Sequence, residues 1–333
     1  GRGHRLRPWR NPTGNVADGA SNVLLAKFGF EAAGEDVKVE TLDISVAITD
    51  NSADTAAIGL VNVKALLEGS QIGTTDAAMS TSTAGTFNFG NTFRVPAGTT
   101  KYLTVLADLT NSSLAASDTI IVTIDAGSSN AQTLTTLTSR STTAQSARTL
   151  TVKSGSISVT ENTAFADRST SLPTATKTAS DIKIGSFIIT AGSGEASDVT
   201  QIVMLDGSTT SQMVDNYTAI RLKNGSNQIG SVAQTSGTTD GTAAQFTFTP
   251  SSAIRINAGA QYIVDVYADV KSSPADSGTA ASIWDPVIKV DSVTATGVST
   301  SSDVSYSGDL SIQKAYISAN GNLTVTKGAD API

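Results

Sequence analysis

The sequence predicts an all-β protein made of two tandem, homologous sandwich domains. Three observations carry that expectation: an internal repeat at a nearly constant offset, two-residue hydrophobic alternation in the repeated strand, and a composition low in charge and in aromatic rings. The 333 residues suit two domains of roughly 150 residues each, either of them large enough to bury a core of its own.

The repeat comes first because it sets the organisation. Ala97–Leu109 (AGTTKYLTVLADL) matches Ala258–Val270 (AGAQYIVDVYADV), displaced by 161 positions. Upstream, Phe87-Asn-Phe89 matches Phe246-Thr-Phe248, and each precedes an Arg94-Val95 or Arg255-Ile256 pair. Val63–Gly73 matches Ile220–Gly230, and Leu25–Phe30 matches Ile184–Ile189. Four ordered matches at close to one spacing describe a duplicated unit.

Within the best-matched segment the period is two. Leu103, Val105, Ala107 and Leu109 share one face, as do Val264, Val266, Ala268 and Val270; Thr104 and Asp108, or Asp265 and Asp269, take the other. One dry face and one wet face is the pattern of a strand in a two-layer sandwich. Further strands are expected over Val37–Ile48, Thr119–Ile124, Thr149–Val152, Asp181–Thr190, Thr200–Leu205 and Val287–Val293, punctuated by turn pairs such as Gly69-Ser70 and Asn224-Gly225. No segment carries a long amphipathic helical stripe.

These signals divide the chain into a basic N-terminal arm (1–22), a first sandwich (23–154), an extended connector with a short strand (155–183), and a second sandwich with a C-terminal strand (184–333). The connector is composite. Its opening, Gly155–Thr160 (GSISVT), matches Gly321–Thr326 (GNLTVT), and its close, Pro173 to Phe187, matches Pro12 to Phe28. The end of one copy and the start of another would therefore rebuild the internal junction. This leads to an expectation of head-to-tail homopolymers, an open heterologous assembly. Leu323 and Val325, two apart on one strand face, are the expected anchors, with Pro332 beside them in the terminal segment. A shorter fragment of a longer tandem array is the alternative.

The repeat pattern, together with abundant Ser, Thr and Gly, resembles the tandem β-sandwich proteins of prokaryotic surface layers and extracellular filaments. That resemblance implies immunoglobulin-like sandwiches and a structural or adhesive role outside the cell. The net charge of −7 hides an asymmetry. Arg2, Arg5, Arg7 and Arg10 sit in the first ten residues, leaving 18 basic against 29 acidic residues elsewhere, or −11. Such an arm could dock on the acidic body of a neighbouring copy; a processing remnant is the other reading. Nucleic acid fits poorly with an acidic body. No run of 18 apolar residues is present, so no helical membrane span is expected, and the N-terminus carries no apolar signal-peptide core.

Catalysis finds little to work with. The only histidine is His4 and cysteine is absent, so neither a Ser-His-Asp arrangement nor a thiolate metal site is expected. Calcium is the metal for which oxygen ligands abound. Asp50, Asp54, Glu195 and Asp198 are the candidates, set against a reading as solvated loop acids. Asp108 and Asp269 recur at one repeat position and are expected to cap strand ends. Trp9 and Trp284 are the rings that could stack on a cell-surface glycan. The expectation is a non-enzymatic, extracellular structural subunit, with an adhesin or carbohydrate-binding module as the alternative.

Overall fold

A computed structural model describes residues 11–51, 59–109, 114–167, 175–206, 213–234, 245–274 and 288–318. The chain forms two compact units. The first holds residues 1–155 with loops 192–196 and 298–302; the second holds 156–191, 197–297 and 303–333.

In the first unit the chain passes through β1 (Gly14–Ala17), β2 (Val23–Glu31), β3 (Val37–Val39), β4 (Thr41–Thr49), β5 (Gly59–Leu67), β6 (Ser70–Ser80) and β7 (Gly85–Asn88). It continues through β8 (Arg94–Val95), β9 (Thr100–Asp108), β10 (Thr119–Ile124), β11 (Ala131–Thr133), β12 (Ser139–Arg140), β13 (Gln145–Ser146) and β14 (Leu150–Lys153). One layer is the sheet β2-β9-β5-β6. The facing layer is made of β1-β14-β10-β4-β7, with β13 on β10, and β12-β11-β3-β8. Leu25, Phe28, Leu103 and Val105 from one layer meet Leu42, Ile44, Val95 and Val122 from the other in a single buried cluster.

The second unit runs through β15 (Ile157–Glu161), β16 (Ala175–Thr176), β17 (Ile182–Ala191), β18 (Ser197–Asp206), the one-turn α1 (Met213–Asn216), β19 (Tyr217–Asn224) and β20 (Asn227–Gln234). Then come β21 (Gln245–Phe248), β22 (Ile254–Ile256), β23 (Gln261–Val270), β24 (Ile288–Gly297), β25 (Tyr306–Ser311) and β26 (Ile317–Ser318). Its layers are β15-β17-β23-β19-β20 and β21-β18-β24-β25, with β22 also on β18. Ile184, Phe187, Val264 and Val266 pack here against Ile202, Met204, Val290 and Val293.

The fold class is thus all-β, two tandem sandwiches of one topology, as the repeat implied. The equivalence extends to register. Phe28 lies opposite Leu103 and Phe187 opposite Val264; Val23 faces Ala107 and Ile182 faces Ala268. Even the irregularity recurs, between Leu24 and Ala26 in β2 and between Lys183 and Gly185 in β17. The parallel pair β1–β14 has its counterpart in β16–β26. Each β9 or β23 residue expected on the dry face is buried. Two-residue turns close the matching hairpins: Glu68 and Gly69 both have positive φ, whereas Gly225 alone does in the second unit.

The expected continuous strand 37–48 is instead two strands in two sheets. At the break, Glu40 and Thr41 both donate their N–H to the Asn130 carbonyl, and the Asn130 side chain bonds the Thr41 carbonyl at 2.9 Å. That local clamp lets one strand serve two sheets, a feature that hydrophobic alternation does not encode. Strand β1 lies inside the stretch read as an arm, and β15 and β16 lie inside the stretch read as a connector.

Candidate assembly edge

One difference between the two sandwiches, among the described residues, is an extra edge strand. In the second unit β15 lies antiparallel on the outer edge of β17, pairing Ile157 with Ala191, Val159 with Ile189 and Glu161 with Phe187. Val159 is buried and Ile157 packs partly buried against the same core. Beyond Glu161 a polar lock holds the strand end. Asn162 donates its N–H to the Ser186 carbonyl at 3.1 Å and its amide to Ser186 Oγ at 2.9 Å. Gln313 accepts the Ser186 N–H at 2.7 Å and donates to the Asn162 carbonyl at 2.8 Å. Ser186 Oγ in turn donates to Asp265 at 2.6 Å. Every member of this buried network has partners, which makes it a specific latch.

The equivalent edge in the first unit is β2, and among the described residues no strand pairs with it there. Lys27 corresponds to Ser186, and its outward N–H is taken by the Asn11 side chain at 2.7 Å. Alternation along an antiparallel strand then turns the main-chain groups of Gly29 and Glu31 outward as well. A cavity of about 410 Å³ opens beside this edge, between Phe28–Glu31 on one wall and Ile124, Ser141–Thr143 and Gln145 on the other. A second, of about 290 Å³, continues it past Ala32 towards Val37 and Arg140. Phe30 stays only partly buried, resting edge-on against Phe93 at 4.8 Å between centroids, whereas its counterpart Ile189 is fully buried.

Two of the acids singled out from sequence, Glu195 and Asp198, serve the fold. Glu195 is buried, and its carboxylate accepts the N–H groups of Ser299 (2.7 Å) and Thr300 (3.1 Å) and the Thr300 hydroxyl (2.7 Å). Asp198 holds Arg255 through two bonds of 2.9 and 2.8 Å, and this guanidinium lowers its pKa. Asp50 is exposed after β4. The Glu195 and Asp198 oxygens are thus engaged by donors of the protein itself. Among the described residues no three Asp, Glu or His side chains converge as a metal cage. Asp54, the arginines Arg2, Arg5, Arg7 and Arg10, the rings of Trp9 and Trp284, and Leu323, Val325 and Pro332 lie outside the described residues.

No helix among the described residues is long and apolar enough to cross a membrane. No family model and no curated protein matches the chain. Among solved structures, the calcium-binding domain CBD12 of CALX1.1 aligns with 85% of this chain and 76% of its own at 8% identity and a TM-score of 0.28. The YadV chaperone aligns with 90% of this chain and 96% of its own at 9% identity and a TM-score of 0.18. Similarities this distant carry nothing towards what this chain binds or does.

Proposed function

We propose that the protein is a non-catalytic structural subunit of a cell-surface filament or surface layer, built by head-to-tail association of its own copies. One observation carries this reading: the second sandwich has its sheet extended by the inter-repeat strand β15, while the equivalent edge β2 of the first is unpaired among the described residues. An open strand edge is a template for another chain, and closed-off folds avoid leaving one. The match of 321–326 to 155–160 supplies a segment of the right kind within every copy. The near absence of histidine and the lack of cysteine support a role without chemistry, and the Ser/Thr/Gly-rich composition supports an extracellular setting. Electron microscopy and sedimentation of the purified protein test the reading. Ordered filaments or sheets are expected, and a chain that stays monomeric at high concentration would sink it.

A further inference from the structure

We propose that the groove beside β2 receives residues 321–326 of a second copy as a fifth, antiparallel strand, with Leu323 opposite Ala32 and Val325 opposite Phe30. The proposal rests on the assembly reading above and names its acceptor and register.

The register follows from the equivalences. Phe28 and Phe187 face matching residues of β9 and β23, so Phe30 corresponds to Ile189 and Ala32 to Ala191. In the second unit those two positions face Val159 and Ile157. The segment match puts Val325 where Val159 stands and Leu323 where Ile157 stands. Thr324 then falls opposite Glu31 and Thr326 opposite Gly29, the two residues whose main-chain groups point outward. Both incoming apolar side chains point into the sandwich, where the 410 Å³ cavity lies against Phe28, Phe30 and Ile124. Main-chain bonds supply the affinity of such an addition, and alternate side chains seated in pockets supply its selectivity. The length of the docked strand is also set. β15 ends level with Phe187, and in the first unit Asn11 already occupies the next outward N–H, that of Lys27.

Because the protein has no cysteine, paired cysteines report the register directly. The double variant Glu31→Cys/Thr324→Cys, oxidised after assembly, is expected to give a ladder of covalent multimers. Glu31→Cys/Thr326→Cys, two residues out of register, is expected to give little. Polymers that form without the 31–324 ladder overturn this inference and leave the assembly reading intact. A disulfide closed within one chain, without a ladder, overturns it too. A second arm does not depend on polymerisation. Full-length protein carrying Glu31→Cys with Leu323→Asp and Val325→Asp is mixed with a synthetic peptide of sequence 319–330 bearing cysteine at 324. Cross-linking is expected, falling at least about tenfold when the peptide's own Leu323 and Val325 are Asp, since loss of one well-buried apolar anchor suffices for that factor. Equal cross-linking by both peptides overturns the proposal.

Discussion

The Asp269 carboxylate accepts the backbone N–H of Asp181 at 2.7 Å, and in the other unit Asp108 accepts the N–H of Asn22 at 2.6 Å. The gripped residues have φ of 54° and 52°, the left-handed conformation that Asn and Asp tolerate best, and each opens the strand next to the duplicated A-D motif. The grips differ in strength. Asp269 also takes two bonds from Arg221, while Asp108 takes the Asn62 amide at 2.8 Å. Asp269→Ala is therefore expected to cost about 1.5–3 kcal/mol and Asp108→Ala about 1 kcal/mol, charge-assisted bonds being the stronger. Urea unfolding of the two variants decides it; the reverse order would show the arginine to be incidental.

The same carboxylates set the acid limit. Arg221 lowers Asp269 against the opposing effect of burial; for Asp108, burial pushes upward but the Asn22 N–H, the Asn62 amide and Lys64 outweigh it. Arg255 lowers Asp198, and the Thr136 hydroxyl lowers Glu35. A lowered folded-state value means that stability is fully present above the ordinary value, 3.8 for Asp and 4.5 for Glu, and is lost as pH falls through the folded value. Asp18 works the other way, raised by burial and then by Asp118 against the Gly19 N–H. Asp303 is lowered as well, by Ser305, so five lowered carboxylates stand against one raised. Stability should hold from pH 7 to about pH 5 and drop below about pH 4, with Asp269→Asn flattening the drop. A denaturation midpoint at pH 3 equal to that at pH 7 would contradict this account.

What the residues revealed in advance was what repeats locally. Alternation along 103–109 and 264–270 needs only near neighbours, so the dry faces and the duplication could be read directly. The strand switch at Glu40 could not, because its cause is Asn130, some ninety positions away. The partners of the acids were hidden for the same reason. Glu35 accepts the N–H groups of Thr135 and Thr136 and the Thr136 hydroxyl, a hundred residues on. Glu195 grips Ser299 and Thr300 in the same pattern. The duplication itself held the missing signal, since Glu35 and Glu195 stand at matching places before β3 and β18.

Glu195 therefore gives a test that separates capping from metal binding. Glu195→Ala leaves two N–H donors in a partly buried loop without their acceptor, at an expected cost of about 1–3 kcal/mol. The loss should be the same with calcium added and with calcium chelated, and hydrogen exchange at Ser299 and Thr300 should accelerate. A calcium-dependent stability that vanishes in this variant would restore the acid as a ligand.

The two copies of the docking segment should respond to truncation in opposite ways. Val159 is 6% exposed in the core of the second unit, so its removal is felt by the isolated chain. Val159→Ala and Ile157→Ala each delete apolar volume from a packed cluster, with an expected cost of about 1–3 kcal/mol in unfolding of the monomer. Asn162→Ala should add a comparable loss by removing the amide that donates to Ser186 Oγ and the side-chain oxygen that accepts the Ala164 N–H. Leu323→Ala and Val325→Ala remove the same kinds of side chain from the proposed donor, whose pocket belongs to another copy. They are expected to leave the monomer's melting temperature unchanged while raising the concentration needed for assembly. The acceptor edge should mirror this in hydrogen exchange: the Gly29 and Glu31 amides exchange quickly in the monomer and become protected in the polymer, because no strand among the described residues pairs with that side of β2. If Leu323→Ala and Val325→Ala instead destabilise the monomer as much as the Val159 change does, the segment folds back on its own chain. The polymer would then need another contact.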